Sequence, residues 1–401
     1  MSHPISFRSW RAASGFGLLA LLAGCTPPIS STPTKDYLLY VGTNVAGEQD
    51  NTIFLYRVSP ATGTFTRVSA QHGGASPTYL TLAPSRRFLY AVSETQTYKG
   101  AAGGGVSAFA VDQKSGDLKL LNQQPSNGAS PCYISLDRTT KTAFVANYLG
   151  GNVSSYPVQA DGQLGAPTTD QQTGRGPHKN QNASHAHCLL PDPANKFAFA
   201  VNLGTDQVYA YRLDPAQSHL TRLPEPAFVA KPGAGPRHLV FHPDGKHAYL
   251  VNELSSSVTS LAYDAAAGRF RELQTVSALP ASYTGDNSCA DIHIAPSGLF
   301  LYASNRGHNS IAVFAIDSNN GTLVPIQDVD TQGKTPRNFT LDPSGRLLLV
   351  ANQNSNNVVS RACSRPPARA RRCPRPCSCK WCRISHASCR TSTPNFQFGL
   401  R

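Results

Sequence analysis

The chain has 401 residues, 40% of them hydrophobic and 15% charged, with a formal net charge of +13. Arg361 to Arg401 carries ten Lys/Arg and no acid, and Arg8, Arg11 and Lys35 precede Asp36, the first acid. The rest of the chain therefore holds 23 basic against 23 acidic residues. A neutral body excludes a basic nucleic-acid face, and its apolar content suits a buried core rather than a polytopic membrane protein.

Residues 1–25 read as an export signal. Arg8 and Arg11 precede a short apolar run, Gly15 to Ala23. That run is too short for a permanent span. Leu22-Ala23-Gly24-Cys25 resembles a bacterial lipobox, which makes Cys25 the expected lipidation site. Residues 26–36, rich in Pro, Ser and Thr, form a linker. The expected location is periplasmic or outer-membrane-anchored, with membrane contact only through that lipid.

Residues 37–360 repeat. Short β-rich runs such as Leu39-Tyr40-Val41-Gly42-Thr43 and Ala248-Tyr249-Leu250-Val251-Asn252 end at 43, 93, 147, 202, 252, 305 and 352. In six copies a second anchor lies nine residues earlier, at Pro84, Arg138, Pro193, Pro243, Pro296 and Pro343. It sits in a turn that joins two strands, and two more strands follow. Four short strands in each of seven repeats of about fifty residues predict an all-β, seven-bladed β-propeller of four-stranded antiparallel blades.

The first copy begins at its second strand, so the chain's end is expected to supply the innermost one. There the pattern breaks. Residues 361–401 are rich in Arg, Cys and Pro, match no repeat, and are expected to be disordered. The ring is accordingly expected to be incompletely closed, with an open edge at the first blade. Cys377, Cys379 and Cys382 do not form paired half-sites of a zinc module.

In each blade the start of the first strand lies beside the end of the second. One rim of the ring therefore gathers Thr78, Cys132, His187, Arg237, Ala290 and Arg337 with Asn44, Glu94, Tyr148, Leu203, Glu253, Arg306 and Gln353. A propeller keeps its site at such a channel mouth. Three arginines, two glutamates and a histidine converge there from separate blades.

Gly235-Pro236-Arg237-His238-Leu239, Val251-Asn252-Glu253-Leu254, Ala290-Asp291-Ile292-His293, Ser304-Asn305-Arg306-Gly307 and Ser184-His185-Ala186-His187 resemble the bacterial seven-bladed lactonase family. That family includes the propeller-type 6-phosphogluconolactonases and is related to fungal carboxy-muconate cyclase. The resemblance implies a lactonase acting on a small sugar-type lactone. It places His187, Arg237, Glu253 and Arg306 as catalytic residues. Glu253 or His187 would activate water while the other serves as acid, and Arg237 and Arg306 would stabilise the oxyanion. His185, His238, Asp291, His293, Arg337 and Glu94 form the expected substrate-binding set. No cofactor and no metal is expected, since His178, His185 and His187 lack a carboxylate at ligand spacing. The expected partner is a small-molecule lactone and the expected state a monomer. The rival functions are a non-catalytic exported ligand- or protein-binding propeller and a muconate-type lactonizing cycloisomerase.

Overall fold

The computed structural model describes residues 35–45 and 50–362, together with the backbone of 388–390 and 396–400. Cys25, the export signal and all but the end of the linker lie outside the described residues. Seven antiparallel sheets follow one another along the chain. Their innermost strands in blades 2 to 7 are Leu80–Leu82, Pro131–Leu136, Ala186–Pro191, Pro236–Phe241, Ser288–Ile294 and Pro336–Leu341. Blade 4 has a fifth short strand, Phe228–Val229, beside its third. The seven-bladed propeller read from the repeat is the fold observed.

The second strands are the core. Thr142–Asn147, Phe197–Asn202 and Leu347–Asn352 are buried along their whole length, because each sheet is covered on both faces by a neighbouring blade. Outer strands such as Thr64–His72 face solvent. Between blades 4 and 5, Phe199, Phe241, Tyr263 and Phe270 form one aromatic cluster. Full burial of one such ring contributes about 2–3 kcal/mol. Tyrosines add a polar tie from blade to blade. The hydroxyls of Tyr40, Tyr90 and Tyr249 donate to the carbonyls of Gly116, Gly162 and Gly321, turn residues of the next blade.

In blades 3, 4 and 7 the hairpin joining first and second strands is capped by an aspartate before the anchor position, whereas blades 2 and 6 have Ala83 and Ala295 there. Asp137, Asp192 and Asp342 each accept two backbone N–H groups through Oδ1, at 2.6–2.9 Å. Blade 5 departs from this: His242 precedes Pro243, and Asp244 does the capping from the other side.

The last body strand runs Asn357–Ala362, two residues past the expected boundary. Two tail segments appear as backbone. Phe396–Leu400 lies antiparallel to Tyr37–Thr43, and Ser388–Arg390 lies beside Asn357–Ala362. Both occupy positions where the repeat lacks a strand. The rest of the tail expected to be disordered lies outside the described residues.

Candidate functional site

The rim residues are aimed by β-bulges. Pro236 pairs with Asn252 and His238 with Val251, which leaves Arg237 as an extra residue. The same irregularity isolates Cys132, His187 and Arg337. In blade 6 it takes in Ala290 and Asp291. A bulge re-aims one side chain without ending the strand. The first-strand rim positions counted from the anchors therefore coincide with bulges in blades 3 to 7. Alternation of residue faces cannot reveal this, and it is the feature missed by sequence reasoning. Gly235, just before this strand, is required: its φ is +62°, and a Cβ there would sit 2.4 Å from Leu254 Cγ.

Arg237 is 1% exposed. Its Nε lies 2.9 Å from Glu253 Oε2, and Nη2 of Arg306 lies 2.8 Å from the same oxygen. The Arg237 Nε–H makes no hydrogen bond, so this contact is a charge pairing rather than an aligned donor. Arg237 Nη1 donates to the carbonyl of Ala290, and Arg306 Nη2 to that of Cys289 at 2.9 Å. Both guanidinium groups are thus tied to the bulge of blade 6. Burial pushes the Glu253 carboxyl up, but Arg306 and Arg237 outweigh it and hold it below the usual range. Burial, then the charge of Arg306, brings Arg237 down to about 10.

Behind Arg237 stands a satisfied polar chain. His238 Nε2 faces Arg237 Nη1 at 3.3 Å, and its Nδ1 donates to Asp291 Oδ1 at 2.9 Å. Asp291 Oδ2 accepts from Asn338 Nδ2 at 2.6 Å and lies 3.1 Å from His293 Nε2. Burial lowers His238 to about 4, Arg237 adds to this, and Asp291 opposes it, so the ring is neutral at pH 7. Burial also raises Asp291, yet the charge of His293 and the bonds from His238 and His293 hold it well below the usual range. Asp291 and His238 are 2% and 3% exposed. Both were expected at the substrate, and the structure links them to Arg237 in this polar chain.

His187 is buried, with Nδ1 3.6 Å from the Cys132 thiol and its ring edge-on to those of Tyr148 and His238. Burial, then Arg237 and His238, push it well below the ordinary imidazole value, so it too is neutral. Burial raises the Cys132 thiol and lifts Cys188 to about 12, which leaves neither as a thiolate. His185 stacks on Tyr148, 4.5 Å between centroids, and bridges Tyr148 O and Asn182 Oδ1. Arg337 pairs with Glu94 at 3.0 and 3.2 Å. His293 is the most exposed of the expected binding residues in blade 6.

The structure thus brings Arg237, Glu253, Arg306, His238, Asp291, His293 and His187 into one linked set, with Arg337–Glu94 as a further pair. A cavity of about 260 Å³ opens beside blade 5, lined by Phe228, Lys231, Asn252, Thr259 and Glu272; none of the charged rim residues lines it. His178, His185 and His187 do not form a metal cluster. Among the described residues, the group with metal-binding geometry is His242, Asp244 and His247, on another hairpin.

Comparison with known proteins identifies the family to which this fold belongs. The family model described as "Lactonase, 7-bladed beta-propeller" matches residues 38–366. A 6-phosphogluconolactonase of Bacillus subtilis is 37% identical over 324 residues, 80% of this chain and 90% of that protein. One from Formosa agariphila is 36% identical over 328 residues, covering 80% and 91%. The solved structure of the Pseudomonas aeruginosa periplasmic gluconolactonase superposes with a TM-score of 0.80 at 33% identity, covering 91% of this chain and 99% of that one. The chain, matched over residues 38–366 and folded as seven blades, belongs to the seven-bladed β-propeller lactonase family.

Proposed function

We propose that the chain hydrolyses a small sugar-type lactone at the channel rim. The observation that carries this reading is the Glu253 carboxylate clamped between Arg237 and Arg306, with a neutral His187 joined to Arg237 through the ring of His238. The names borne by the relatives, 6-phosphogluconolactonase and periplasmic gluconolactonase, support the substrate class.

The electrostatics divide the roles. Glu253 is ionised and doubly paired, so it cannot donate a proton and is a weak base. Its task is to hold two guanidinium groups side by side. His187 enters the reaction neutral, so it accepts the proton of the attacking water. Water oxygen bonds to the lactone carbonyl carbon, and the resulting oxyanion falls to Arg237 and Arg306. The ring C–O bond then breaks. The leaving alkoxide takes the proton back from His187, whose low pKa makes its charged form a ready acid. The product is a hydroxy acid, and His187 is neutral again. His238 and Asp291 fix the Arg237 guanidinium, and His185, His293, Arg337 and Glu94 complete the binding surface.

The export signal favours an unphosphorylated lactone, since phosphorylated sugars are cytoplasmic. Lipidation at Cys25 would tether the enzyme to a membrane; metabolic labelling with palmitate tests this, and label retained by Cys25→Ala would rule it out. The activity itself is tested by pH-stat turnover on a panel of phosphorylated and plain sugar lactones. Turnover by the parent and loss in a folded His187→Gln variant is the expected result. No turnover on any lactone by a folded chain would favour the binding propeller, and ultraviolet change with muconates the cycloisomerase.

A further inference from the structure

We propose that His242, Asp244 and His247 form a binding site for a divalent transition metal of the zinc class at the far hairpin of blade 5. His242 Nδ1 lies 3.0 Å and His247 Nδ1 2.7 Å from Asp244 Oδ2, and the donor atoms of all three lie within 4.8 Å of one another.

The hydrogen-bond pattern points to a cation. His242 Nε2 lies 2.9 Å from the carbonyl of Gly298, which only accepts, so Nε2 carries the hydrogen. In the neutral ring Nδ1 then offers a lone pair, which accepts the backbone N–H of Asp244 at 3.2 Å. That same lone-pair atom stands 3.0 Å from a carboxylate oxygen. Two acceptor atoms at that distance repel unless a cation lies between them, either a proton on Nδ1 or a metal ion. Donation of the distal nitrogen of an imidazole to a backbone carbonyl is the usual support for a metal-ligating histidine.

Both rings are held before any ion arrives. They rest on two glycines of blade 6: a Cβ at Gly298 would meet His242 Nε2 at 2.9 Å, and one at Gly321 would meet the His247 ring. Asp244 is held by the N–H groups of Lys246 and His247 on its other oxygen. Bonds of about 2.0–2.2 Å to nitrogen and oxygen place tetrahedral donors about 3.4 Å apart. The two nitrogen–oxygen separations need to open by less than about 1 Å to reach this. Two imidazoles and one carboxylate suit zinc, nickel or copper rather than calcium or magnesium. On binding, His247 moves its Nδ1 proton to Nε2, so no co-reactant is needed.

The site is not part of the channel. Five residue steps separate Arg237 from His242, about 17 Å at ~3.3 Å per residue. Its effect is to fix the blade 5 hairpin, whose His242 is bonded to the Gly298 carbonyl of blade 6, raising stability by mass action.

The test uses the full chain with any affinity tag removed. Zinc binding is measured by equilibrium dialysis for the parent, His247→Phe and Asp244→Asn. The expected result is one fewer bound ion per chain in each variant, together with loss of the zinc-dependent rise in Tm. Cobalt(II) spectra separate this site from the cysteines of the tail: bands of nitrogen and oxygen ligation should disappear in the variants, and thiolate charge-transfer bands should not. Equal zinc stoichiometry in parent and variants, or cobalt bound through thiolate alone, would overturn the proposal. So would a parent that binds no zinc while His242 alone takes up a proton. Lactone turnover is expected to be unchanged in both variants.

Discussion

Arg237 lies on the first strand of blade 5 and Glu253 just past the end of the second, and they meet at 2.9 Å because the strand carrying Arg237 is bulged at that residue. The bulge removes Arg237 from the alternation of its strand. Arg306 reaches the same carboxylate oxygen from the second strand of blade 6. One carboxylate thus joins two blades at the rim.

Replacing Glu253 by Gln removes a charge shared by two arginines. It leaves Arg237 buried and unpaired, a change expected to cost about 3 kcal/mol. Turnover should fall at least ~10²-fold as the guanidinium pair loses its orientation. Urea denaturation and pH-stat kinetics on the same samples measure both. Unchanged turnover with lowered stability would assign Glu253 a structural role only.

The pH profile follows from His187. Its folded pKa lies well below 6.5, so its neutral, proton-accepting form persists into mildly acidic solution. Turnover should stay flat from neutral pH down past 6.5 and fall only at lower pH. In His187→Gln that acid limb should vanish, with kcat down ~10²–10⁴-fold. A profile that breaks at 6.5 or above in the parent would exclude His187 as the base.

The same depression affects stability. His187 and His238 are neutral when folded and protonate near 6.5 when unfolded. The unfolded chain therefore binds more protons as pH falls through 6.5, and stability should decline from there toward pH 4, where folded His238 also titrates. Below that, protonation of the unfolded counterpart of Asp291 removes a further contribution. Denaturation midpoints across this range are the measurement, and His238→Gln should flatten the upper part of the decline.

Arg337 and Glu94 are 243 residues apart and join blade 7 to blade 2. Each side chain is 19% exposed, so water screens the pair only partly. A double-mutant cycle with Arg337→Ala and Glu94→Ala should give a coupling of about 1 kcal/mol. Zero coupling would mean the pair does not form in solution.

Phe396–Leu400 pairs with Tyr37–Thr43 in the structure. Truncation after Thr391 should expose the edge of the first blade and lower Tm by several degrees. An unchanged Tm would instead support the incompletely closed ring read from the broken repeat.

How much of this was legible in the chain follows from physics. Seven runs like Ala198-Phe199-Ala200-Val201-Asn202 announce buried second strands, because apolar β-formers at a fixed interval have few other uses. The spacing from each anchor also places Arg237, His187 and Arg337 at one rim, since antiparallel pairing is local. Beyond that range the sequence is silent. Which carboxylate Arg306 and Arg237 share, how far His238 and Asp291 are buried, and that Glu94 meets Arg337 depend on blades brought together by ring geometry. His242-Pro243-Asp244 and His247 stood in plain view as a His-x-Asp-x-x-His string. Only the folded hairpin, packed on the glycines of blade 6, shows that both imidazoles face one oxygen of Asp244. Strand pairing acts over a few residues and can be read along the chain; burial and charge pairing act through space, and only the folded ring determines them.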